Sequence, residues 1–175
     1  YAASPTGEAR WQPAKDSSGW VGARITSEFG PDCIQPITVD KDNIFYLPRP
    51  VMSEDCLFLN IWAPKDLGRN NPVIVWIHGG GLMDGSPSLP VYDGLELSRK
   101  GVILVSFNYR LNIFGYFSHP QLSERSLHKT SGNYGLSDQI QVLRWIQRNI
   151  KFFGGDPNNV TIAGQSAGAL SVTQL

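Results

Sequence analysis

The chain has no net charge. Fifteen Lys and Arg balance fifteen Asp and Glu, and charged residues are 17% of the sequence. A protein that grips nucleic acid or an anionic membrane surface needs an excess of positive charge, so neither partner is expected. Long apolar runs are missing too. The longest, "VIVWI" and "VILV", suit buried strands and are far too short to cross a bilayer, so no membrane span is expected. Internal repeats, low-complexity tracts and charge blocks do not occur. Cysteine is scarce: Cys33 and Cys56 are the two present, and their separation is not that of a C-x-x-C redox or zinc arrangement. They are either two buried free thiols or one disulfide closing a loop of about two dozen residues, for which the chain-entropy model gives ~3.5 kcal/mol. Neither H-E-x-x-H nor H-x-x-E-H is present, so no metal is expected, and nothing points to another cofactor.

What is present fits one domain with a sizeable core in 175 residues. The first fifty residues are rich in Pro, Gly, Ser and Asp and read as irregular structure with one short strand. "CLFLNIWAP" is the first clear strand, and "KDLGRNNP" is a turn. "VIVWI", apolar at every position, suits a strand covered on both faces. "GVILVSFNYR" and "NVTIA" are two further apolar strands. Between them, Leu136, Ile140, Leu143, Ile146 and Ile150 recur at helical spacing, and "FFGGDP" ends that helix. Buried strands joined by a crossover helix imply an α/β chain with a mostly parallel sheet. Ligands of such sheets bind beyond the carboxyl ends of the strands. Two Gly-rich turns occupy that edge, "HGGG" and "GQSAG".

Gly164-Gln165-Ser166-Ala167-Gly168 reads as G-x-S-x-G. A sharp strand-to-helix turn lifts the serine hydroxyl clear of the backbone and forces strained angles on the serine, so neighbouring side chains must be small. A strand precedes this turn, and "ALSVTQL" can begin a helix after it. The plain alternative is a tight glycine turn with a surface serine. Under the functional reading Ser166 is a nucleophile, and a serine nucleophile needs a general base with an orienting acid.

His78-Gly79-Gly80-Gly81 could be a phosphate loop, but Gly80-x-x-x-x-Gly85-Ser86 lacks the P-loop lysine. An oxyanion hole fits better, because glycines let backbone N–H groups converge without obstruction. Two such donors and the N–H of Ala167 would hold a tetrahedral intermediate's oxygen. His78 precedes the serine, whereas G-x-S-x-G hydrolases run Ser, then Asp/Glu, then His, so His78 is expected to brace the loop. His119 and His128 lie in a polar loop. Leu82 and Met83 suggest an apolar wall near the substrate, or core. Asn159-Val160-Thr161 is a glycosylation signal placed against a buried strand, and we expect it to be unused.

These segments are familiar in combination. "FGGDPNNVTIAGQSAG" resembles the serine signature of the type-B carboxylesterase/lipase family, which includes cholinesterases, and "EDCLFLNIWAP" resembles that family's second signature. "HGGG", "VSFNYRLNIFGYF" and "GNYGLSDQIQVLRWIQRNI" are similar to the segments expected between them, and the likeness runs from "YAASPTGEARWQP" onward. It implies the N-terminal part of an α/β-hydrolase fold and hydrolysis of carboxylic esters, with a small-molecule ester as partner. The family is much longer, which implies a single partial domain over 1–175, truncated at both ends. The acid and histidine of the triad are expected downstream.

Carried over residue by residue, the resemblance makes Ser166 the nucleophile and Gly80, Gly81 and Ala167 the oxyanion donors. Cys33 and Cys56 match the family's first disulfide, which favours a secreted or ER-lumenal protein. Arg10 with Glu54, and Arg110 with Asp156, match two structural ion pairs. Two departures stand out. Gln165 replaces the family's frequent Glu before the serine. No tryptophan lies between Cys33 and Cys56, where Phe45 and Tyr46 are the aromatics, which argues against a quaternary-ammonium substrate. Gln165 is shared with juvenile-hormone-esterase-like members, and a lipase-like preference is equally open. A competing reading is a non-catalytic cholinesterase-like adhesion protein, and a third takes the chain as a complete small protein. The intact Ser166 and "HGGG" speak against the former, and the helix cut short after the serine against the latter.

Overall fold

The computed structural model describes residues 1–37, 41–46, 51–66, 68 and 70–175. Its centre is a four-stranded sheet built from β3 (Leu59–Trp62), β4 (Asn71–Ile77), β5 (Ile103–Phe107) and β6 (Gly155–Gly164). The spatial order is β3-β5-β4-β6. β4 runs parallel to both β5 and β6, and β3 runs antiparallel to β5. Two shorter strands, β1 (Asp32–Cys33) and β2 (Met52–Ser53), pair in parallel outside this sheet. The turn expected at 65–72 falls in part on residues 67 and 69, outside those described.

The direction of β3 follows from the connection. Residues 63–70 must carry the chain from β3 past one intervening strand to β4. A parallel arrangement would need a crossover of about a dozen residues or more, so eight suit only an antiparallel return. The β4-to-β5 connection carries the short helix α1 (Leu95–Arg99), and the β5-to-β6 connection carries α2 (Asn112–Tyr116), α3 (Pro120–Arg125) and the long α4 (Tyr134–Asn149). α3 fills part of the stretch around His119 and His128 that the sequence presented as a polar loop. α5 (Ala167–Val172) follows β6.

β5 is buried at all five positions, as expected of a mostly apolar strand flanked on both edges, and its one polar residue, Ser106, donates its hydroxyl to Pro87 O at 3.2 Å. β4 is covered more unevenly: Val73, Val75 and Ile77 are buried, whereas Ile74 and Trp76 are half-buried. The core joins these residues to Val105, Phe107, Val142, Ile146 and Ile150. Burying each such side chain contributes about 1.5–3 kcal/mol. Helix α4 is turned from the stripe expected of it. Ile146 is buried, but Ile140 is 37% exposed, and the buried face carries Asp138, Gln139 and Gln141 beside Val142. A 3-10 turn, Ile150–Phe153, and Gly154 in the left-handed conformation (φ 82°) end it.

The buried polar face has a reason. Arg110 does not pair with Asp156, contrary to the family mapping. Its Nη2 and Nε donate to Asp138 Oδ1 and Oδ2 at 2.6 and 2.8 Å, and its own N–H donates to Oδ2 at 2.9 Å. Arg110 lies just beyond the carboxyl end of β5, whereas Asp156 is the second residue of β6. Because both strands parallel β4, the two residues sit at opposite ends of the sheet. Asp156 instead accepts the N–H of Asn158 within its own turn. Arg10 does meet Glu54, with Nε and Nη2 at 2.6 and 2.7 Å from its two carboxylate oxygens. Cys33 and Cys56 form a disulfide with Cα atoms 5.0 Å apart.

Candidate active site

β4 and β6 are neighbours, with Ile77 opposite Gly164. The segments that leave these two strands therefore emerge side by side: His78–Gly81 after one, Gln165–Ala167 after the other. The N–H of Gln165 still donates to Ile77 O, at 3.4 Å. Ser166 follows with φ 54° and ψ −121°. A non-glycine residue in this region costs on the order of 1–3 kcal/mol, retained only where its surroundings enforce it. The enforcement is close packing. A Cβ on Gly168 would lie 2.0 Å from Ile77 O, and one on Gly164 would lie 2.5 Å from the Gly168 carbonyl carbon. Only glycine lets α5 start so near β4.

The glycine loop lies against this turn. A Cβ on Gly79 would lie 3.0 Å from Ser166 Cβ and 2.5 Å from Gln165 Oε1. Gly80 O accepts the N–H groups of Met83 and Asp84 at 2.9 and 3.1 Å. Two residues that sequence reasoning passed over brace the loop from outside. Asn112 donates its backbone N–H to Leu82 O at 2.7 Å and its side-chain amide to Ile34 O, also at 2.7 Å. Gln35 exchanges a pair of hydrogen bonds with the Gly85 backbone at 2.7 and 2.9 Å. Among the described residues, the N–H groups of Gly80, Gly81 and Ala167 donate to no protein acceptor.

A cavity of about 280 Å³ opens beside Ser166, Gln165 and Gly79–Gly81. The disulfide loop forms another wall through Gln35 and Phe45, continued by Asp32 just before Cys33. Leu82 packs on the core and Met83 is 53% exposed; neither lines this cavity.

All three histidines can be placed. His78 is 1% exposed and its ring stacks on Tyr109 with centroids 4.5 Å apart. Its Nδ1 donates to Gly79 O at 2.9 Å, which fixes the tautomer and leaves Nε2 as an acceptor without a partner among the described residues. Burial pushes its pKa down to about 4, so the ring is neutral at pH 7. Tyr109 donates its hydroxyl to His78 O at 2.8 Å, tightening the brace. His119 caps α3, accepting the N–H of Gln121, and His128 is exposed beyond it; neither lines the cavity. No described histidine hydrogen-bonds Ser166. The arrangement presents a serine, three free backbone donors and a cavity.

The model of the carboxylesterase family matches residues 1–175. The fumonisin B1 esterase of Sphingopyxis macrogoltabida is 46% identical over 176 aligned residues, covering 100% of this chain and 32% of that protein. The para-nitrobenzyl esterase of Bacillus subtilis is 41% identical over 100% of this chain and 35% of its own. A solved structure of a PNB esterase superposes with a TM-score of 0.87 at 41% identity, over 98% of this chain and 34% of that one. The chain thus spans about a third of the length of the relatives it matches.

Proposed function

This chain belongs to the carboxylesterase family, and from that premise we propose that it carries the nucleophile of a serine esterase acting on small-molecule carboxylic esters. Ser166 attacks the ester carbonyl and the alcohol leaves, giving an acyl-enzyme that water then hydrolyses. The N–H groups of Gly80, Gly81 and Ala167 receive the oxygen of each tetrahedral intermediate. The observation that carries this reading is Ser166 at φ 54°, held at the cavity wall against a glycine loop with unengaged donors.

The general base comes from outside these 175 residues. His78 has one nitrogen committed to Gly79 O and is held neutral by burial. The other two histidines lie away from the cavity. On this reading 1–175 is one partial α/β-hydrolase domain, and the isolated segment is inactive because a serine without a base is a weak nucleophile near pH 7.

The test uses the full-length protein. An organophosphonate ester should label one residue, Ser166, as located by peptide mass spectrometry. Ser166→Ala should lower kcat/KM for a p-nitrophenyl ester by at least about a thousandfold while the circular dichroism spectrum is retained. Wild-type turnover by that variant, or labelling elsewhere, refutes the assignment.

A further inference from the structure

Among the described residues, the cavity beside Ser166 is lined by two carboxylates, Asp32 and Asp84, and by no compensating cation. Asp32 is 4% exposed and accepts one hydrogen bond into its side chain, from Ser86 Oγ at 2.6 Å. Ser86 accepts in turn from the N–H of Ser88 at 3.0 Å, so the serine that serves Asp32 is itself held in place. The backbone around Asp32 is fixed by strand β1, which pairs with β2, and by the disulfide at the next residue. Asp84 forms no ion pair or side-chain hydrogen bond among the described residues. Its Oδ1 would lie 2.4 Å from a Cβ on Gly80, so this carboxylate sits against one of the proposed oxyanion donors. His78, 1% exposed and lining the same cavity, is held neutral by burial and brings no positive charge to it.

A buried carboxylate without a cation is costly, and a negative group beside an oxyanion donor opposes the charge that develops in the transition state. Both disadvantages vanish when the substrate brings a positive charge. The unfilled groups are hydrogen-bond acceptors, so the fitting cation is one with N–H donors. Resting on the esterase reading above, we propose that Asp32 and Asp84 make this an esterase selective for esters whose acyl or alcohol part carries a protonated primary amine. The compensation is greatest when the oxyanion has formed, so the preference belongs in kcat/KM.

The full-length enzyme should be compared on two p-nitrophenyl esters of equal shape, the 6-aminohexanoate and the heptanoate, which exchange an ammonium for a methyl group. The expected result is a preference of about tenfold or more for the amine ester in low salt, falling as salt is raised. Asp32→Asn and Asp84→Asn should each bring the ratio toward one. A ratio of one or below in the wild-type enzyme overturns the proposal and leaves the esterase reading standing. So does a ratio unchanged in both variants. If neither ester is turned over, the esterase reading fails, and calorimetry with hexylammonium decides the amine site by itself. Binding weakened about tenfold in either variant supports it, and no binding to the wild-type protein overturns it. Should Asp32→Asn not fold, the wild-type ratio and the Asp84→Asn variant, on a partly exposed loop, still decide between these outcomes.

Discussion

Arg110 and Asp138 face each other in the interior, 3% and 0% exposed, joined by two side-chain hydrogen bonds and a third from the Arg110 backbone. A further bond runs from Arg110 Nη2 to Gln12 O at 2.9 Å, so one guanidinium ties the end of β5, the start of α4 and the N-terminal segment together. The end of β5 lies beside the end of β4, from which the glycine loop leaves. The pair is a structural anchor for the site and touches none of its cavity.

Removing one partner strands the other charge in the interior, which costs about 3–5 kcal/mol, whereas an apolar replacement of both is far milder. Asp138→Ala and Arg110→Ala should each lower the urea midpoint accordingly, and Arg110→Met/Asp138→Leu should recover much of the loss. Asp156→Ala, by contrast, removes only a half-buried turn contact and should shift stability by less than about 1 kcal/mol. Equal destabilisation by Asp156→Ala and Asp138→Ala would contradict this pairing.

The same pair shows where sequence reading stops. The four strands of the main sheet and the two glycine turns are legible because each is a local signal: a continuous apolar run, or glycines at fixed offsets. Asp138 is not legible, because its burial is made tolerable by a partner 28 residues away. An apolar stripe through Leu136, Ile140 and Leu143 therefore outweighed the polar face that is buried. Asp156 drew the pairing through family likeness, and only the parallel topology places it at the wrong end of the sheet. Asp32 and Asp84 carried no local mark either. Each becomes informative only when the disulfide loop and the glycine loop close on one cavity.

His78 should make stability depend on pH. Its folded pKa, about 4, lies below the unfolded value near 6.5, because burial disfavours the charged ring. The folded state therefore binds fewer protons than the unfolded state between these values. The contribution is fully present above about pH 6.5 and is lost as pH falls toward 4, about 3 kcal/mol in all. His78→Gln has no such titration. Denaturant unfolding from pH 7 to pH 4.5 should show a steeper loss for the wild-type protein than for this variant. Parallel curves would mean that His78 is already protonated in the folded state.

The disulfide closes a loop with a sequence separation of 23. On the chain-entropy model its removal costs ~3.5 kcal/mol. Cys33→Ser/Cys56→Ser should therefore unfold at clearly lower urea. Because Asp32 and Gln35 flank Cys33 and line the cavity, the folded double variant should also lose part of its substrate binding, seen as a raised KM with kcat less affected. A variant with wild-type stability would show that the loop is held by its other contacts.

Two glycines separate steric demand from backbone conformation at the site. Gly168 leaves no room: a Cβ there would lie 2.0 Å from Ile77 O and 2.7 Å from His78 O, both backbone atoms that cannot yield cheaply. Gly81 sits at φ 61° with nothing within 4 Å of the same construction. An alanine at Gly81 pays only the left-handed backbone penalty, about 1–2 kcal/mol, and keeps its N–H. An alanine at Gly168 must push α5 off β4, moving Ser166 and the Ala167 N–H relative to the glycine loop. Misplacement by about 1 Å can cost on the order of a hundredfold in rate. Gly168→Ala should thus lose activity by about a hundredfold or more, with destabilisation beyond that of Gly81→Ala. Gly81→Ala should retain most of its turnover at 25 °C. Kinetics and urea unfolding on the two variants side by side decide the matter, and the reverse ranking would mean that the serine turn is not held by its contact with β4.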